Sequence, residues 1–293
     1  MKAFVTAEFS PEALNALKSV LKDEIVYESW RATKNLYFDQ DELIAKINEI
    51  GAEILICEGD NVKRNVIEST NLKIIGSTRD DPNNVDVDTA TKKHIPVLYA
   101  PKRNTTSVAE LAVTLILALA RKLHIVDRTI HSQGYNIDDF SDYVGYYNLF
   151  KGLEIQGKII GIIGLGSIGY EVAKRLKPFG VKFLVFDPYV SMERLDDVGG
   201  KSVSLNRLMA ESDFITVHCP PTNETDGMIG QDQFQLMKPT AYFVNLARAS
   251  VTDEEALYDI LKSKKIAGAA IDVFAMEPVD QDNEFLELDN VLV

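Results

Sequence analysis

Basic residues are the first shortage in this chain. Lysine and arginine number 31 against 44 aspartates and glutamates, a formal net charge of -13 over 293 residues. Such a surface repels phosphate backbones and anionic headgroups, so nucleic acid and anionic membrane are excluded from the expected partners. Cysteine is scarcer still. Cys57 and Cys219 each close an apolar strand-like run. Two isolated thiols give no metal spacing and no disulfide framework, so no metal is expected and the pair reads as buried, reduced cysteines of a cytoplasmic protein. Long apolar runs are missing too. The longest, Val108 to Ala120, is broken by Glu110 and Thr114 and closed by Arg121-Lys122, too short for a membrane span and expected to be a buried helix. Met1-Lys2-Ala3-Phe4-Val5 reads as entering a strand directly, without a signal-peptide pattern. No internal repeat or low-complexity tract interrupts the pattern.

What is present is an alternation of short apolar runs with amphipathic stretches. Strands are expected at Ala3–Thr6, Ile25–Glu28, Glu53–Cys57, Leu72–Gly76 and Pro96–Tyr99. Between them, Ser10-Pro11 supplies an N-cap and a first-turn proline for a helix with Leu14, Leu17 and Leu21. Asp41 to Ile50 carries Leu43, Ile44 and Ile47 and stops at Gly51. A long helix from Ser107 to Ile125 and a polar, aromatic loop from Ser132 to Phe150 follow. The alternation then resumes with strands at Lys158–Ile163, Lys182–Phe186, Phe214–His218, Ala241–Asn245 and Ala267–Ile271, and Thr252-Asp253-Glu254-Glu255 reads as a capping box. Such alternation predicts an α/β chain of two doubly wound parallel-sheet lobes, with a junction near Lys102 to Ser107. Ligands of such sheets lie beyond the carboxyl ends of the strands.

One strand end carries a specific signal. After Ile159-Ile160-Gly161-Ile162-Ile163 comes Gly164-Leu165-Gly166-Ser167-Ile168-Gly169, then a helix with Ile168, Val172, Ala173 and Leu176 on one face, then Phe183-Leu184-Val185-Phe186 ending at Asp187. Strand, Gly-x-Gly-x-x-Gly, helix, strand and acid within about 30 residues is the layout of a dinucleotide-binding unit. Gly164, Gly166 and Gly169 serve a tight turn, close approach of a diphosphate, and close helix–sheet packing. The helix N-terminus offers free N–H groups to the phosphates. Asp187 would accept hydrogen bonds from a ribose diol and repel the extra phosphate of NADP. At 4 Å and an effective dielectric of 20 that repulsion is about 4 kcal/mol, an upper figure. NAD is therefore the expected cofactor, the other reading of Asp187 being a turn aspartate before Pro188.

Further strand ends carry Asn245-Leu246-Ala247-Arg248 and Asp272, the latter followed by Glu277-Pro278. An arginine so placed can fork onto a carboxylate, and position alone fits a solvated surface arginine as well. Glu277 can orient a histidine or stand as a solvated acid.

Together these residues resemble the D-isomer-specific 2-hydroxyacid dehydrogenase family, in its phosphoglycerate-dehydrogenase-like branch. The resemblance runs through Asn104-Thr105-Thr106-Ser107-Val108-Ala109-Glu110, the glycine turn, Phe186-Asp187-Pro188-Tyr189, His218-Cys219-Pro220-Pro221-Thr222 with Thr225, Met237-Lys238-Pro239, Val244 to Arg248, and Ala270 to Phe274 with Glu277-Pro278. It implies a flavodoxin-like substrate domain over 1–103 and a Rossmann NAD-binding domain over 104–293, with the long helix at a homodimer interface. It also implies hydride transfer between NAD(H) and a D-2-hydroxy or 2-oxo acid. Arg248 would hold the substrate, and Glu277 would pair with a histidine that takes the hydroxyl proton. Ser167 and Ile168 would donate backbone N–H groups to the diphosphate. His218, Thr225, Leu246, Ala247 and Asp272 would line the nucleotide.

Three departures from the family pattern stand out. The family's Thr-Pro-His-like segment falls directly after the match at Asn290-Val291-Leu292-Val293, so the catalytic histidine and the helix returning to the first lobe are expected past Val293. His94 reads as surface, His124 and His131 lie at or past the end of the long helix, and His218 sits on the nucleotide side. Second, Asp80 and Asp81 stand where glycines commonly cradle the substrate carboxylate. Third, Lys102 replaces a common glycine. Arg79, Lys102 and Arg103 are candidates for a cationic rim around a phosphorylated or dicarboxylate substrate, scattered surface charge being the other reading. The alternatives to a hydroxyacid dehydrogenase are an NAD(H)-sensing, co-repressor-like regulator of the same fold and an enzyme acting on formate or phosphite.

Overall fold

Two parallel sheets organise the chain in a computed structural model that describes residues 1–22 and 24–293, with Gln133 described in its backbone alone. The compact units are Met1–Asn104 and Thr105–Val293, dividing one residue later than the expected 103.

The first unit runs β1 (Ala3–Val5), α1 (Pro11–Leu21), β2 (Ile25–Tyr27), α2 (Trp30–Thr33), α3 (Gln40–Ile50), β3 (Ile54–Cys57), α4 (Arg64–Ser69), β4 (Ile74–Ser77), α5 (Val87–Lys92) and β5 (Val97–Tyr99). Its strands order as β2-β1-β3-β4-β5, all parallel. That is the flavodoxin-like order. Successive side chains point to opposite faces. Phe4, Leu55 and Ile75 pack on α3 and α4 through Leu43, Ile47, Val66 and Ile67. Ala3, Val5 and Ile54 face the other way, towards Leu17 and Leu21 of α1. The expected caps form: Ser10 Oγ accepts from the Ala13 N–H at 3.2 Å, and Gly51 ends α3 at φ +68°.

The second unit runs α6 (Thr105–Ala120), α7 (Leu123–Gln133), α8 (Phe140–Phe150), β6 (Ile159–Ile163), α9 (Ser167–Leu176), β7 (Lys182–Phe186), α10 (Met192–Val198), β8 (Gly200–Ser202), α11 (Leu205–Glu211), β9 (Phe214–Val217), α12 (Gln231–Gln235), β10 (Tyr242–Asn245), α13 (Glu254–Lys262), β11 (Gly268–Ile271) and β12 (Val291–Leu292). The strand order β12-β11-β10-β9-β6-β7-β8 is the dinucleotide-binding order extended by one strand, reversing between β6 and β9. One face packs Ile160, Ile162, Val185 and Val244 under α6, α9 and α10. The other packs Ile163, Ile215, Val217 and Phe243 under α11, α12 and α13. Full burial of each such side chain contributes about 1.5–3 kcal/mol before entropy is counted.

Three local expectations are corrected. The long helix ends at Ala120, because Lys122 turns left-handed at φ +53° and α7 starts afresh. The loop expected over Ser132 to Phe150 contains the end of α7 and the whole of α8, opened by Asp139, whose carboxylate accepts from the Asp142 N–H at 3.0 Å. The capping box at Thr252 is displaced by one residue. Asp253 caps α13 through the Ala256 N–H at 3.1 Å, while Thr252 Oγ1 accepts from Asn245 and donates to the Ala249 carbonyl. The helix expected at a dimer interface buries Ala109, Ala112, Ile116 and Leu119 within its own unit.

Candidate functional site: the carboxyl ends of the strands

The glycine turn is held by backbone geometry that few residues permit. Gly164 has φ +91°, and a Cβ on it would lie 2.8 Å from the Cys219 nitrogen. Its N–H donates to the Phe186 carbonyl at 2.9 Å, tying the turn to β7. A Cβ on Gly169 would overlap the Gly164 carbonyl oxygen, so α9 packs directly on the turn. Gly166 differs. It precedes α9 with no side-chain cap, and a Cβ there would meet nothing within 4 Å. The first N–H groups of α9, from Ser167 and Ile168, have no partner one turn back. The result is an open, uncapped helix N-terminus reached only past a glycine.

Asp187 lies at the end of β7, half-buried. Its Oδ2 accepts from the Leu165 N–H and its Oδ1 from the Tyr189 N–H, both at 2.9 Å. The carboxylate therefore anchors the glycine turn. A second lone pair on each oxygen is left for another donor. At the end of β9, the His218 N–H donates to the Ile163 carbonyl at 2.8 Å, and its ring Nε2 meets Thr216 Oγ1 at 2.9 Å. Burial pushes the imidazole down to about 3, so the ring is neutral near pH 7. Burial also pushes Cys219 up to about 11, assisted by the charge on Asp187. Thr225 is engaged locally: its hydroxyl donates to the Pro220 carbonyl at 2.7 Å and accepts from the Thr222 N–H at 2.8 Å.

Asn245 shapes the next strand end. Fully buried, it accepts from the Ala247 N–H at 3.0 Å and donates to the Arg248 carbonyl at 3.2 Å. Leu246 is thereby buried and Arg248 exposed. The Arg248 guanidinium donates to the Ala247 carbonyl at 2.7 Å and meets no carboxylate among the described residues. The Asp272 N–H donates to the Asn245 carbonyl at 3.0 Å, setting β11's end beside β10's. Partial burial, and then the charge on Glu277, raise Asp272 above the usual carboxylate range. Glu277 Oε1 accepts from the Phe274 N–H at 3.2 Å. The two acids are thus near neighbours.

In the first unit the three expected rim cations part company. Arg103 pairs with Glu58 at 2.5 Å, and the second oxygen of Glu58 accepts from Trp30 Nε1 at 2.9 Å. Arg103 thus already has an acidic partner within its own unit. Lys102 is exposed and left-handed at φ +66°, a conformation that favours glycine. The half-buried Arg79 forms no ion pair among the described residues, and its backbone is held by Ser77 and Ala100. Asp80 keeps one buried oxygen, Oδ1, without a hydrogen-bond partner. A network that sequence reasoning missed underlies this edge. Fully buried Asp60 accepts from Thr6 Oγ1 at 2.6 Å and from the Tyr37 N–H at 3.0 Å, and its carbonyl accepts from Asn84 at 3.1 Å. A turn-like Gly59-Asp60-Asn61 gave no hint that this acid points inward.

The sequence model of "D-isomer specific 2-hydroxyacid dehydrogenase, NAD binding domain" matches residues 113–293. The chain belongs to that family. The family member D-3-phosphoglycerate dehydrogenase of Archaeoglobus fulgidus is 40% identical over the whole chain, which spans 52% of that relative's length. YoaD of Bacillus subtilis, which bears the name of a 2-hydroxyacid dehydrogenase, is 37% identical over the whole chain and is covered to 83%. Among solved structures, the TT0316 protein of Thermus thermophilus superposes with a TM-score of 0.86 at 26% identity, covering 100% of this chain and 88% of that one. The cofactor of the matched domain is NAD. The open approach at Gly166 and the uncapped N-terminus of α9 fit a diphosphate. Among the described residues, no helix is long and apolar enough to cross a membrane, and no cluster of His, Cys, Asp and Glu could hold a metal.

Proposed function

We propose that the chain is an NAD-dependent oxidoreductase acting between a D-2-hydroxy acid and its 2-oxo acid. When bound, the nicotinamide takes or gives the hydride at C2. The observation that carries this reading is the open, uncapped N-terminus of α9 behind Gly166, with Asp187 one strand away. The N–H groups of Ser167 and Ile168 bind the diphosphate, and the free lone pairs of Asp187 accept from the ribose diol. His218, Thr225, Leu246 and Ala247 border the nucleotide, and Asp272 lies at its nicotinamide end. Arg248 holds the substrate carboxylate, for which its exposed guanidinium has no competing acid among the described residues. Glu277 orients the proton-carrying histidine that the family resemblance puts past Val293 and favours its charged form. In the first unit, Arg79 and Lys102 are the cations that would favour a phosphorylated substrate. Free thiols at Cys57 and Cys219 fit a reducing cytoplasm.

The same reading includes a homodimer, to which α8 offers an exposed apolar face. Phe140, Tyr143, Val144 and Tyr147 recur at helical spacing on α8 and are all exposed, Phe140 to 76%. An apolar stripe of this kind suits a twofold interface, where the same patch serves both copies.

The test follows NADH absorbance while glyoxylate, pyruvate and a phosphorylated 2-oxo acid are offered. Oxidation of NADH with at least one of them is expected when the histidine past Val293 is present, whereas residues 1–293 alone should bind NADH but turn over poorly. Tight NADH binding without turnover on any, with that histidine present, would favour the NAD(H)-sensing alternative, and no binding at all would overturn the reading at its base.

A further inference from the structure

The second unit also has a cavity at the amino ends of its strands. Pro239 and Thr240 lead into β10, Ala267 leads into β11, and all line an open cavity of about 680 Å³ bordered by α7 and by Leu149 and Leu153. Because β10 and β11 are parallel, this is the end of the sheet remote from Gly164, Asp187 and Arg248. The volume lies within the ordinary range for small-molecule sites.

Its lining is cationic in a chain of net charge -13. Lys122, Arg128 and Lys264 face it, against the single carboxylate of Asp289 among the described lining residues. Lys122 and Lys264 follow the last turns of α6 and α13, where a cation also offsets the helix dipole. That role does not explain α7. Arg128 stands within that helix, and its guanidinium donates a long hydrogen bond of 3.5 Å to the Leu288 carbonyl. His124, one turn earlier, has both ring nitrogens buried and without a hydrogen-bond partner. An unsatisfied buried imidazole is unfavourable unless another group completes it. Three positive charges against one negative leave a surplus of two. A phosphate monoester carries about -1.5 to -2 at neutral pH and offers several acceptor oxygens. Ile125, Leu153 and Ile266 add an apolar wall.

We propose that this cavity binds a small phosphate monoester, its phosphoryl group held by Lys122, Arg128, Lys264 and the imidazole of His124, and its organic part against the apolar wall. This site is separate from the dehydrogenase site and does not depend on that reading.

Phenyl phosphate is a suitable probe, titrated by calorimetry into protein saturated with NAD so that the diphosphate cradle is taken. One equivalent should bind, and the His124 Cε1–H resonance should move on its addition. Combining Arg128→Gln with Lys264→Gln should weaken binding about tenfold or more while NAD affinity stays unchanged. Lys264→Gln alone, at an exposed position, should give part of that loss and serves if the double variant misfolds. No binding, binding indifferent to both variants, or benzoate binding as tightly as phenyl phosphate would each overturn the proposal.

Discussion

Asp187→Asn separates two roles that this carboxylate could combine. In the structure both oxygens accept backbone N–H groups at 2.9 Å, which makes Asp187 a turn residue. As an asparagine it keeps one acceptor and presents an NH2 group to the other donor. Losing one charge-assisted hydrogen bond and adding that mismatch costs about 1.5–3 kcal/mol of stability. The turn role alone predicts only this loss, with NAD and NADP binding weakened alike. The ribose role predicts a change in preference as well. A 2′-phosphate about 4 Å from the native carboxylate at an effective dielectric of 20 is disfavoured by about 4 kcal/mol at most, and by less once salt screens it. Removing the charge should therefore shrink the NAD-over-NADP preference between about tenfold and a thousandfold. Calorimetric Kd values for both cofactors, with urea unfolding in parallel, read the two effects separately. An unchanged ratio of the two Kd values beside a clear loss of stability would refute the ribose assignment and leave Asp187 as a turn residue alone.

Arg248→Ala should lower kcat/KM roughly a hundredfold, the worth of two hydrogen bonds from a charged fork, with the Kd for NAD nearly constant; equal losses in both would move this arginine to the cofactor. His218 titrates near 6.5 in the unfolded chain and near 3 when folded, so its contribution is complete above pH 6.5 and declines as pH falls towards 3. At pH 5 that loss is at most about 2 kcal/mol, and urea unfolding of His218→Gln should show a flatter acid limb than the native protein. For α8, Phe140→Asp with Tyr147→Asp should convert a dimer to a monomer in sedimentation without loss of helix content, and an unchanged sedimentation coefficient would dismiss that face as the interface.

Local signals were the legible ones. The span from Ile159 to Asp187 is contiguous, and its glycines, apolar run and terminal acid each report a nearest-neighbour constraint, so the turn, α9 and β7 were readable together. The same holds for the Ser10 cap and the Gly51 stop. Where a short-range signal competes with packing, reading failed. Thr252 resembles an N-cap by spacing, yet Asn245 claims its hydroxyl from across the loop, and Asp253 caps α13 instead. α8 was hidden because its aromatic residues carry low helix propensity and its outer face is apolar, so no polar–apolar alternation marked it. The rim expected from Arg79, Lys102 and Arg103 shows the limit of counting charges. Adjacency in sequence did not reveal Glu58, 45 residues away, which takes Arg103. The cavity at the amino ends of the strands lay furthest from reach. Its cations come from the end of α6, the middle of α7 and the turn after α13, segments without a common motif. They meet where α7 and the segment before it lie against the turns that precede β10 and β11, so that charge also collects at the end of the sheet opposite the carboxyl-end residues.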